Sequence, residues 1–385
     1  MRQPILTALG ILLSTGLGAA RADFAEFPVA TGPAVQRDPA VCDGLVVWTE
    51  LNSGNNSIMA RFLPGGSEFL VDSAYYAGAP AVDAGVVVWA DRRNSPDPSN
   101  FDVYAYVVSS GQVIPVSTAP LRQVLPDVDG DWVVWQDERN GDGDPYNHNT
   151  DIYGRNLATG EERVLSAPPH AERISPRISG RYVVWQHGGL GTNNWDIYGY
   201  DLQTGSEFPI GIDPWPQVAP AVSGDIVVWM DYRSGFADIY GMDLATGVEF
   251  PICAAPGEQG SPAIDGNIVV WVDFRDPNPD GSGNANIYGY DLTTGTEFAI
   301  CTDPGYQGLV QISGNLVVWE DERNSMPDAF NVDIYGAYIP EPSCAGLVAL
   351  ALLPCLAGRR PPRRAPPPPS ASLARPRRRA AHTEP

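Results

Sequence analysis

The chain has 385 residues, of which 43% are hydrophobic and 18% charged, a composition typical of a folded globular protein rather than a disordered one. Its formal net charge is -22 and all 24 basic residues are arginines, which argues against nucleic acid and anionic lipid as partners. The 40 glycines and 37 prolines predict frequent turns. The five cysteines lack a paired C-x-x-C spacing, so neither a zinc cluster nor a disulfide-rich scaffold is expected.

Residues 1–22 predict a secretory signal peptide. Arg2 precedes an apolar run over residues 5–17, and Ala20-Arg21-Ala22 offers small residues around a cleavage point. The alternative is an N-terminal membrane anchor, but the run is short for one. We expect the mature chain to begin near Asp23 and to work outside the cytoplasm.

The middle of the chain, residues 23–339, repeats one motif seven times. Each copy is a Val-Val-Trp run, and successive tryptophans are about 45 residues apart, a spacing typical of four-stranded propeller blades. The seven tryptophans are Trp48, Trp89, Trp135, Trp185, Trp229, Trp271 and Trp319.

The fifth repeat shows how one unit is built. Four strands are predicted, over residues 220–223, 226–230, 238–244 and 249–253. Gly247 closes the last hairpin, where a positive φ is needed. No sustained helical periodicity occurs between the two ends of the chain, so the middle is predicted to be all β.

The two ends of the repeat region are complementary. Glu26-Phe27-Pro28-Val29 copies the fourth strand of the fifth repeat, Glu249-Phe250-Pro251-Ile252, whereas the last repeat stops after its third strand at residues 333–338. Joining the ends removes exposed sheet edges. The sequence therefore predicts a seven-bladed β-propeller of four-stranded blades whose last blade is closed by the N-terminal strand. The alternative, an open β-solenoid, would not need this offset.

The repeat P-x-[VI]-[SD]-G-[DN]-[ILV]-V-V-W-x-D-x-R…D-I-Y-G-x-D-L-x-T-G-x-E resembles the TolB-like propeller repeat over nearly all of residues 26–338. WD40 repeats fit less well, because there is no Gly-His pair and the tryptophan lies in the second strand. Sialidase Asp boxes are absent. The positions that carry the resemblance are Trp229, Asp231, Arg233, Asp238, Tyr240 and Asp243.

The segment 340–364 resembles the PEP-CTERM sorting signal of bacterial exosortase substrates. Pro340-Glu341-Pro342 is followed by an apolar stretch over residues 345–358 and then by arginines. The resemblance implies an exosortase-type processing enzyme as partner, transient membrane association, and a place at the surface or outside of a Gram-negative-type bacterium. The alternative is a plain C-terminal tail anchor. The Pro/Arg-rich residues 365–385 are expected to be disordered.

The repeat tryptophans are expected in the core, at equivalent packing sites between blades. Trp195 and Trp215 fall outside the repeat and are predicted ligand contacts in loops. An Asp/Arg pattern after five of the tryptophans is expected to hold a loop, because catalysis needs one asymmetric group rather than five copies. His187 breaks that pattern in the fourth repeat, and we predict a specific site there.

Two loops have the spacing of calcium ligands. Hard oxygen ligands at alternate positions suit calcium, but the closing glutamate is missing, so solvated turns are the alternative. We expect no required cofactor and, at most, weak calcium binding. The candidate ligands are Asp276, Asn278, Asp280, Asn140, Asp142 and Asp144.

Three functions follow as hypotheses. No nucleophile elbow and no metal-spaced histidine pair occurs, so the first is a non-catalytic, exported module that binds protein or polysaccharide. The alternative is a propeller-type polysaccharide lyase or hydrolase, and a second alternative is a periplasmic TolB-like scaffold. The residues available to an enzyme are His148, His170, His187, Arg173 and Arg177.

The acidity of the chain is concentrated in the predicted propeller. Residues 23–340 hold 14 arginines and 44 acidic residues, a net charge of -30, because ten of the arginines lie in the terminal segments. The ring as a whole suits cations and solubility rather than bare polyanions.

Overall fold

All regular secondary structure in the described part of the chain is β. The computed structural model describes residues 24–53, 55–94, 100–141, 149–167, 171–189, 194–276, 284–325 and 331–340. The predicted signal peptide, the predicted tail and all but the first residue of the predicted sorting segment lie outside these residues. Within them, we find no helix with the length and apolar character needed to cross a membrane.

Twenty-eight strands follow one another along the described residues. In chain order they are β1 (Glu26–Ala30), β2 (Val35–Cys42), β3 (Leu45–Leu51), β4 (Asn56–Phe62), β5 (Glu68–Ala74), β6 (Gly78–Asp83), β7 (Val86–Asp91), β8 (Asp102–Val107), β9 (Gln112–Ser117), β10 (Gln123–Asp129), β11 (Trp132–Asp137), β12 (Asp151–Asn156), β13 (Glu162–Ser166), β14 (Ala171–Ser179), β15 (Tyr182–Gly189), β16 (Trp195–Asp201), β17 (Ser206–Gly211), β18 (Gln217–Ser223), β19 (Ile226–Asp231), β20 (Asp238–Asp243), β21 (Val248–Cys253), β22 (Gln259–Asp265), β23 (Ile268–Asp273), β24 (Asn286–Asp291), β25 (Thr296–Cys301), β26 (Gln307–Ser313), β27 (Leu316–Asp321) and β28 (Asp333–Tyr338).

The strands form seven antiparallel sheets of four strands, which are the blades. Blades 1 to 6 each contain four consecutive strands, beginning with β2, and blade 7 contains β26, β27, β28 and β1. In blade 7, β1 pairs antiparallel with β28 and places Phe27 opposite Gly336. Arg323 also lies 2.7 Å from the carboxylate of Glu26 at this junction. The predicted seven-bladed propeller, closed by its N-terminal strand, is confirmed.

The first strand of every blade lies at the centre of the ring and contains a bulge. Successive first strands neighbour one another, and β26 neighbours β2 to complete the circle. In β14 the register shifts between Ile174 and Arg177, and the other six shift at the same place. Bulges of this kind re-aim side chains and are common next to functional sites.

Each bulge holds one non-glycine residue in the left-handed region of φ. The seven φ values lie between 39° and 57°, where side chains are rarely found. Six of the seven are followed by proline, so the central strands share one uncommon backbone shape. The residues are Asp38, Ala79, Leu125, Ser175, Ala219, Ser261 and Leu309.

The core lies between the blades and is built on the Val-Val-Trp runs. Trp135 of blade 3 packs among Val88, Val103 and Val116 of blade 2. All seven repeat tryptophans are completely buried. Burial of an indole removes 150–250 Å² from water, worth about 4–6 kcal/mol of transfer free energy. The repeated tryptophan therefore holds neighbouring blades together.

The four predicted strands of the fifth repeat are present, and the first of them begins earlier than predicted. β18 begins at Gln217, whereas the first strand was predicted to begin at Pro220. The strand continues through the bulge before this proline, and the sequence pattern alone does not show the bulge. The turn at Gly247 has φ of 70°, as the predicted hairpin requires.

Candidate active site

Five blades carry the same polar clamp at the end of the second strand. In blade 3, the Trp135 Nε1–H donates to Asp137 at 2.7 Å, and Arg139 donates to the same carboxylate from its backbone N–H at 2.8 Å and its Nε at 2.9 Å. Arg139 also reaches Glu162 at 2.6 Å and lies over the ring of Tyr153. The equivalent sets are Trp89/Asp91/Arg93, Trp229/Asp231/Arg233, Trp271/Asp273/Arg275 and Trp319/Asp321/Arg323. Because the clamp recurs, its role is to hold the loop that follows.

Blade 4 replaces three members of the regular pattern. His187 stands at the aspartate position and Gly189 at the arginine position. On the first strand, Arg173 takes a position that is glutamine in five other blades. Blade 1 also lacks the aspartate and has Glu50 there, but it keeps its glutamine. The five glutamines, all almost completely buried, are Gln36, Gln123, Gln217, Gln259 and Gln307.

Antiparallel pairing places three chemically active side chains of blade 4 in one row. Arg173 on β14 lies directly opposite His187 on β15, and His187 lies directly opposite Asp196 on β16. Side chains opposed in this way have their Cβ atoms about 4.5–5.5 Å apart. A guanidinium, an imidazole and a carboxyl group therefore adjoin at the end of the blade that carries the long loops.

Arg173 is completely buried behind His187. Its backbone N–H donates to the Thr150 hydroxyl at 2.8 Å, and its Nη1 donates to the Thr150 carbonyl at 3.0 Å and lies 3.4 Å from the carboxylate of Asp151. Burial lowers the pKa of Arg173 and raises the pKa of Asp151, because both charged forms lose hydration. Because its side chain is completely buried, Arg173 affects the exposed part of the row through its charge and not through direct contact with solvent.

His187 is half-buried and packs on Tyr198, with 4.5 Å between the ring centroids. Its Nδ1 is buried and has no hydrogen-bond partner among the described residues. Burial lowers the pKa of His187, and the positive charge of Arg173 lowers it further. Both effects favour the uncharged imidazole, the form that can accept a proton.

Asp196 is the acidic member of the row. Burial raises the pKa of its carboxyl group, and a hydrogen bond from the Asn194 Nδ2 at 3.2 Å opposes the shift. Asn194 also donates to the backbone carbonyl of Asp213 at 3.3 Å. This contact ties the start of β16 to the loop between blades 4 and 5.

Two tryptophans outside the repeat lie on blade 4 and in the loop that follows it. The Trp195 ring packs on Gly188, where an added Cβ would approach the ring to 2.9 Å, so the contact requires glycine. Trp215 is 58% exposed in the loop between blades 4 and 5, and the Gln217 side chain binds its carbonyl. The loop position predicted for Trp215 agrees with the structure, whereas that of Trp195 is wrong, because Trp195 is the first residue of β16. Its pair with Gly188 adjoins the His187–Asp196 pair along the strands, so its ring lies on the opposite face of the sheet from His187.

The other sequence candidates are placed elsewhere or lie outside the described residues. Arg177 lines the central channel, four positions along β14 from Arg173. Asn140 donates to Asp151 at 2.8 Å, and Asp276 accepts a hydrogen bond from the Tyr288 hydroxyl at 2.9 Å. Within the described residues, no three His, Cys, Asp or Glu side chains are arranged to hold a metal ion. The candidates outside them are His148, His170, Asp142, Asp144, Asn278 and Asp280.

The sequence did not single out Asp196 as a site residue. Arg173 and His187 were each candidates from the sequence, but the sequence did not predict that they lie opposite each other on β14 and β15. A signal was available, since glutamine recurs before the inner strand of five repeats and Arg173 is the charged exception. Aligning the repeats on this glutamine would have placed Arg173 opposite His187.

Comparisons with known proteins establish the fold class. No protein-family model and no curated protein sequence matches the chain. The β-propeller domain of the Trilobed protease from Pyrococcus furiosus is similar with a TM-score of 0.58 and 14% identity, over 79% of this chain and 95% of that one. Pyrococcus horikoshii acylaminoacyl peptidase is similar with a TM-score of 0.60 and 16% identity over 83% of this chain, which spans about half (54%) of the peptidase.

An oligogalacturonate lyase from Vibrio parahaemolyticus is also similar, with a TM-score of 0.59 and 11% identity. The alignment covers 84% of this chain and 99% of the lyase. At these identities the comparisons define this chain as a β-propeller of the kind found in peptidases and lyases. They establish its fold, not its activity.

The expectation of a non-catalytic binding module is contradicted by these neighbours, which favour the enzyme alternative. We based that expectation on the lack of any asymmetric cluster in the repeats. The row in blade 4 is such a cluster, and the strands assemble it from residues that are far apart in sequence. The oligogalacturonate lyase also shows that a chain consisting almost wholly of this propeller can be an enzyme.

Proposed function

We propose that this protein is a propeller enzyme that cleaves a uronate-containing polysaccharide by β-elimination. The proposal assigns His187 as general base and Asp196 as general acid. The observation that carries it is the row of Arg173, His187 and Asp196, which blade 4 has where five other blades have a structural clamp.

The pKa shifts suit these two roles. An effective base must be unprotonated and an effective acid protonated at the working pH. Burial lowers the pKa of His187, which favours the unprotonated base, and raises the pKa of Asp196, which favours the protonated acid. Each shift thus has the direction that the assigned role requires.

The chemistry requires no cofactor to balance. His187 removes the proton from the carbon next to the uronate carboxyl group, and the electron pair of that bond forms a carbon–carbon double bond. The bond to the neighbouring glycosidic oxygen breaks, and Asp196 donates a proton to that oxygen. The exposed Trp215, in the loop that follows blade 4, offers a flat apolar face on which a sugar ring can pack.

Hydrolysis fits the site less well than elimination. The common glycosidase route uses two carboxyl groups across the scissile bond. Asp196 provides one of these carboxyl groups. The neighbouring Asp213 is poorly suited to be the second, because its carboxylate lies 3.7 Å from Arg233 Nη1. A neutral histidine beside one acid supports proton abstraction instead.

Local charge offsets the overall acidity of the ring. The first strand of blade 4 carries two of the propeller's arginines, Arg173 and Arg177. Their positive charges make this strand more favourable to a uronate than the acidic remainder of the ring.

The test is to incubate the full chain with polygalacturonate and, separately, with a neutral galactan. We expect unsaturated products, detected by their ultraviolet absorbance, from polygalacturonate alone. Reducing ends without unsaturation would identify a hydrolase and contradict elimination. No cleavage of polygalacturonate or of any other uronate polymer in a panel would overturn the proposal.

We also propose that the protein is exported and sorted to the surface of a Gram-negative-type bacterium. Support comes from the signal-like residues 1–22 and the PEP-CTERM-like residues 340–364. An exosortase-type enzyme would then be its processing partner. Mass spectrometry of the protein isolated from its host, cut near residues 22 and 340, would support this, and an intact cytoplasmic chain would contradict it.

A further inference from the structure

The centre of the propeller encloses a cavity of about 400 Å³, within the usual range for small-molecule sites. Residues from the first strands of all seven blades line it. In each first strand, the residue after the proline contributes its side chain to one ring around the channel. In blade 7 a valine, Val310, stands at the proline position. By register, this ring consists of Ala40, Ala81, Asp127, Arg177, Ala221, Ala263 and Gln311.

Four of the seven ring members are alanine, which leaves the channel open. The two charged members, Asp127 and Arg177, come from the adjacent blades 3 and 4, and the third polar member, Gln311, comes from blade 7. Gln186 and Ser175 of blade 4 line the same cavity. The only cationic side chain of the ring therefore lies on the side that also carries the candidate active site.

Most N–H groups of the Arg177 guanidinium have no hydrogen-bond acceptor among the described residues. Among the described residues its guanidinium donates one hydrogen bond, from Nη1 to the Pro176 carbonyl at 3.1 Å, and it forms no direct ion pair. A guanidinium carries five N–H donors in a planar fork that matches a carboxylate. A half-buried guanidinium that faces a cavity is thus suited to bind an anion.

The carboxylate of Asp127, which also lines the cavity, limits the class of anion that can bind there. Its carboxylate accepts the Ile178 N–H at 2.9 Å across the blade boundary and keeps further acceptor sites. Burial raises the pKa of Asp127, and Arg177 opposes the shift. A carboxylate at this place repels a multiply charged ligand but accepts hydrogen bonds from hydroxyl groups. Asp38, across the cavity, adds to both effects.

We propose that the central channel binds a small hydroxylated carboxylate, a monomeric sugar acid, with Arg177 on its carboxylate and Asp127 on its hydroxyl groups. Gln186, Gln311 and Ser175 offer further polar contacts on the cavity wall. This site is separate from the row in blade 4 and does not rest on the function proposed for that row.

Isothermal titration calorimetry of the full chain with galacturonate tests the proposal, with galactose as the matched ligand that lacks the carboxylate. We expect galacturonate to bind and galactose to bind more weakly by about tenfold or more, the effect of a bidentate charge-assisted contact. Arg177→Gln should lose the preference for galacturonate. Arg181→Gln removes an exposed arginine in the turn of the same blade and should keep it.

A second variant separates a loss of binding from a folding defect in Arg177→Gln. Ala221→Leu narrows the channel without changing any charge and should weaken galacturonate binding, while circular dichroism reports an intact fold. Equal affinity for the two sugars, no binding of galacturonate, or unchanged binding in both variants would overturn the proposal. Because binding needs no turnover, His187→Gln should still bind galacturonate in the channel, which separates this outcome from failure of the cleavage proposal.

Discussion

The indole Nε1 of Trp185 and the Nδ1 of His187 are both buried and both lack a hydrogen-bond partner among the described residues. In five other blades the residue two positions after the tryptophan is an aspartate that accepts the indole N–H, as Asp137 does for Trp135 at 2.7 Å. A buried polar group without a partner costs about 1–3 kcal/mol. Blade 4 therefore loses stability where most blades gain it, which is a common property of functional sites.

Restoring the aspartate in blade 4 should stabilise the protein and inactivate it. His187→Asp supplies an acceptor for the Trp185 Nε1–H next to the positive charge of Arg173. We expect the free energy of unfolding in urea to rise by about 1–2 kcal/mol, with loss of cleavage. His187→Leu, which supplies no acceptor, should be inactive without the gain in stability. A decrease in stability for His187→Asp would contradict this account of the blade.

The contribution of the indole hydrogen bond to stability can be measured by comparing Trp135 with Trp185. Trp135→Phe removes a donor from the buried carboxylate of Asp137, whereas Trp185→Phe removes an N–H that has no partner. Both variants lose similar apolar contact. We expect Trp135→Phe to lower the free energy of unfolding by about 1–3 kcal/mol more than Trp185→Phe does. Equal losses in urea denaturation would show that the indole hydrogen bonds contribute nothing.

The arginine clamps should be worth far more than exposed ion pairs. Asp137 is completely buried and Arg139 binds it at 2.6 Å, so Arg139→Gln leaves a buried charge without its main partner. We expect a loss of about 3 kcal/mol in the free energy of unfolding. Arg163 also lies 2.6 Å from a carboxylate, that of Glu161, but both side chains are exposed. Arg163→Gln is the control and should leave urea stability unchanged, so similar effects of the two variants would refute the clamp's structural role.

The pH dependence of cleavage should follow the two shifted groups. Burial lowers the pKa of His187 from its ordinary 6.5 and raises the pKa of Asp196 from its ordinary 3.8. Cleavage requires unprotonated His187 and protonated Asp196, so kcat/KM should pass through one optimum between these two values and fall on both sides of it. An optimum above pH 8 would be incompatible with the assigned roles.

Stability gives an independent check on the same histidine. Because its pKa is lower in the folded state, the unfolded chain takes up more protons as pH falls through 6.5. The wild-type protein should therefore lose stability relative to His187→Gln as the pH drops below that value. A parallel pH dependence of the two proteins in urea denaturation would contradict a lowered pKa.

The sequence was sufficient to predict the architecture because each of its signals is local and repeated. Val-Val-Trp marks the second strand of each blade, and the copied strand at Glu26 reveals the closure of the ring. The bulges were not predictable from such patterns. Ala79 and Ala219 adopt positive φ although alanine disfavours it, because the ring of inner strands imposes that shape on them.

The candidate site was only partly predictable for a related reason. His187 was visible as an exception to a repeat, and Trp195 and Trp215 as residues outside it. The role of Asp196 depends on which residues the strands place opposite each other, and the register joins Asp196 to His187 and His187 to Arg173. Blade 4 therefore looked like an irregular repeat in sequence, whereas in the structure it is an asymmetric polar cluster.

The most direct test of the central claim is kcat/KM for polygalacturonate cleavage by the wild-type protein and by His187→Gln, followed by the absorbance of unsaturated products. Loss of a general base should lower the value by about a hundredfold or more, while the exposed control Arg163→Gln retains it. The account predicts unsaturated products from the wild type and their near absence from His187→Gln. Equal rates for the two proteins would contradict it.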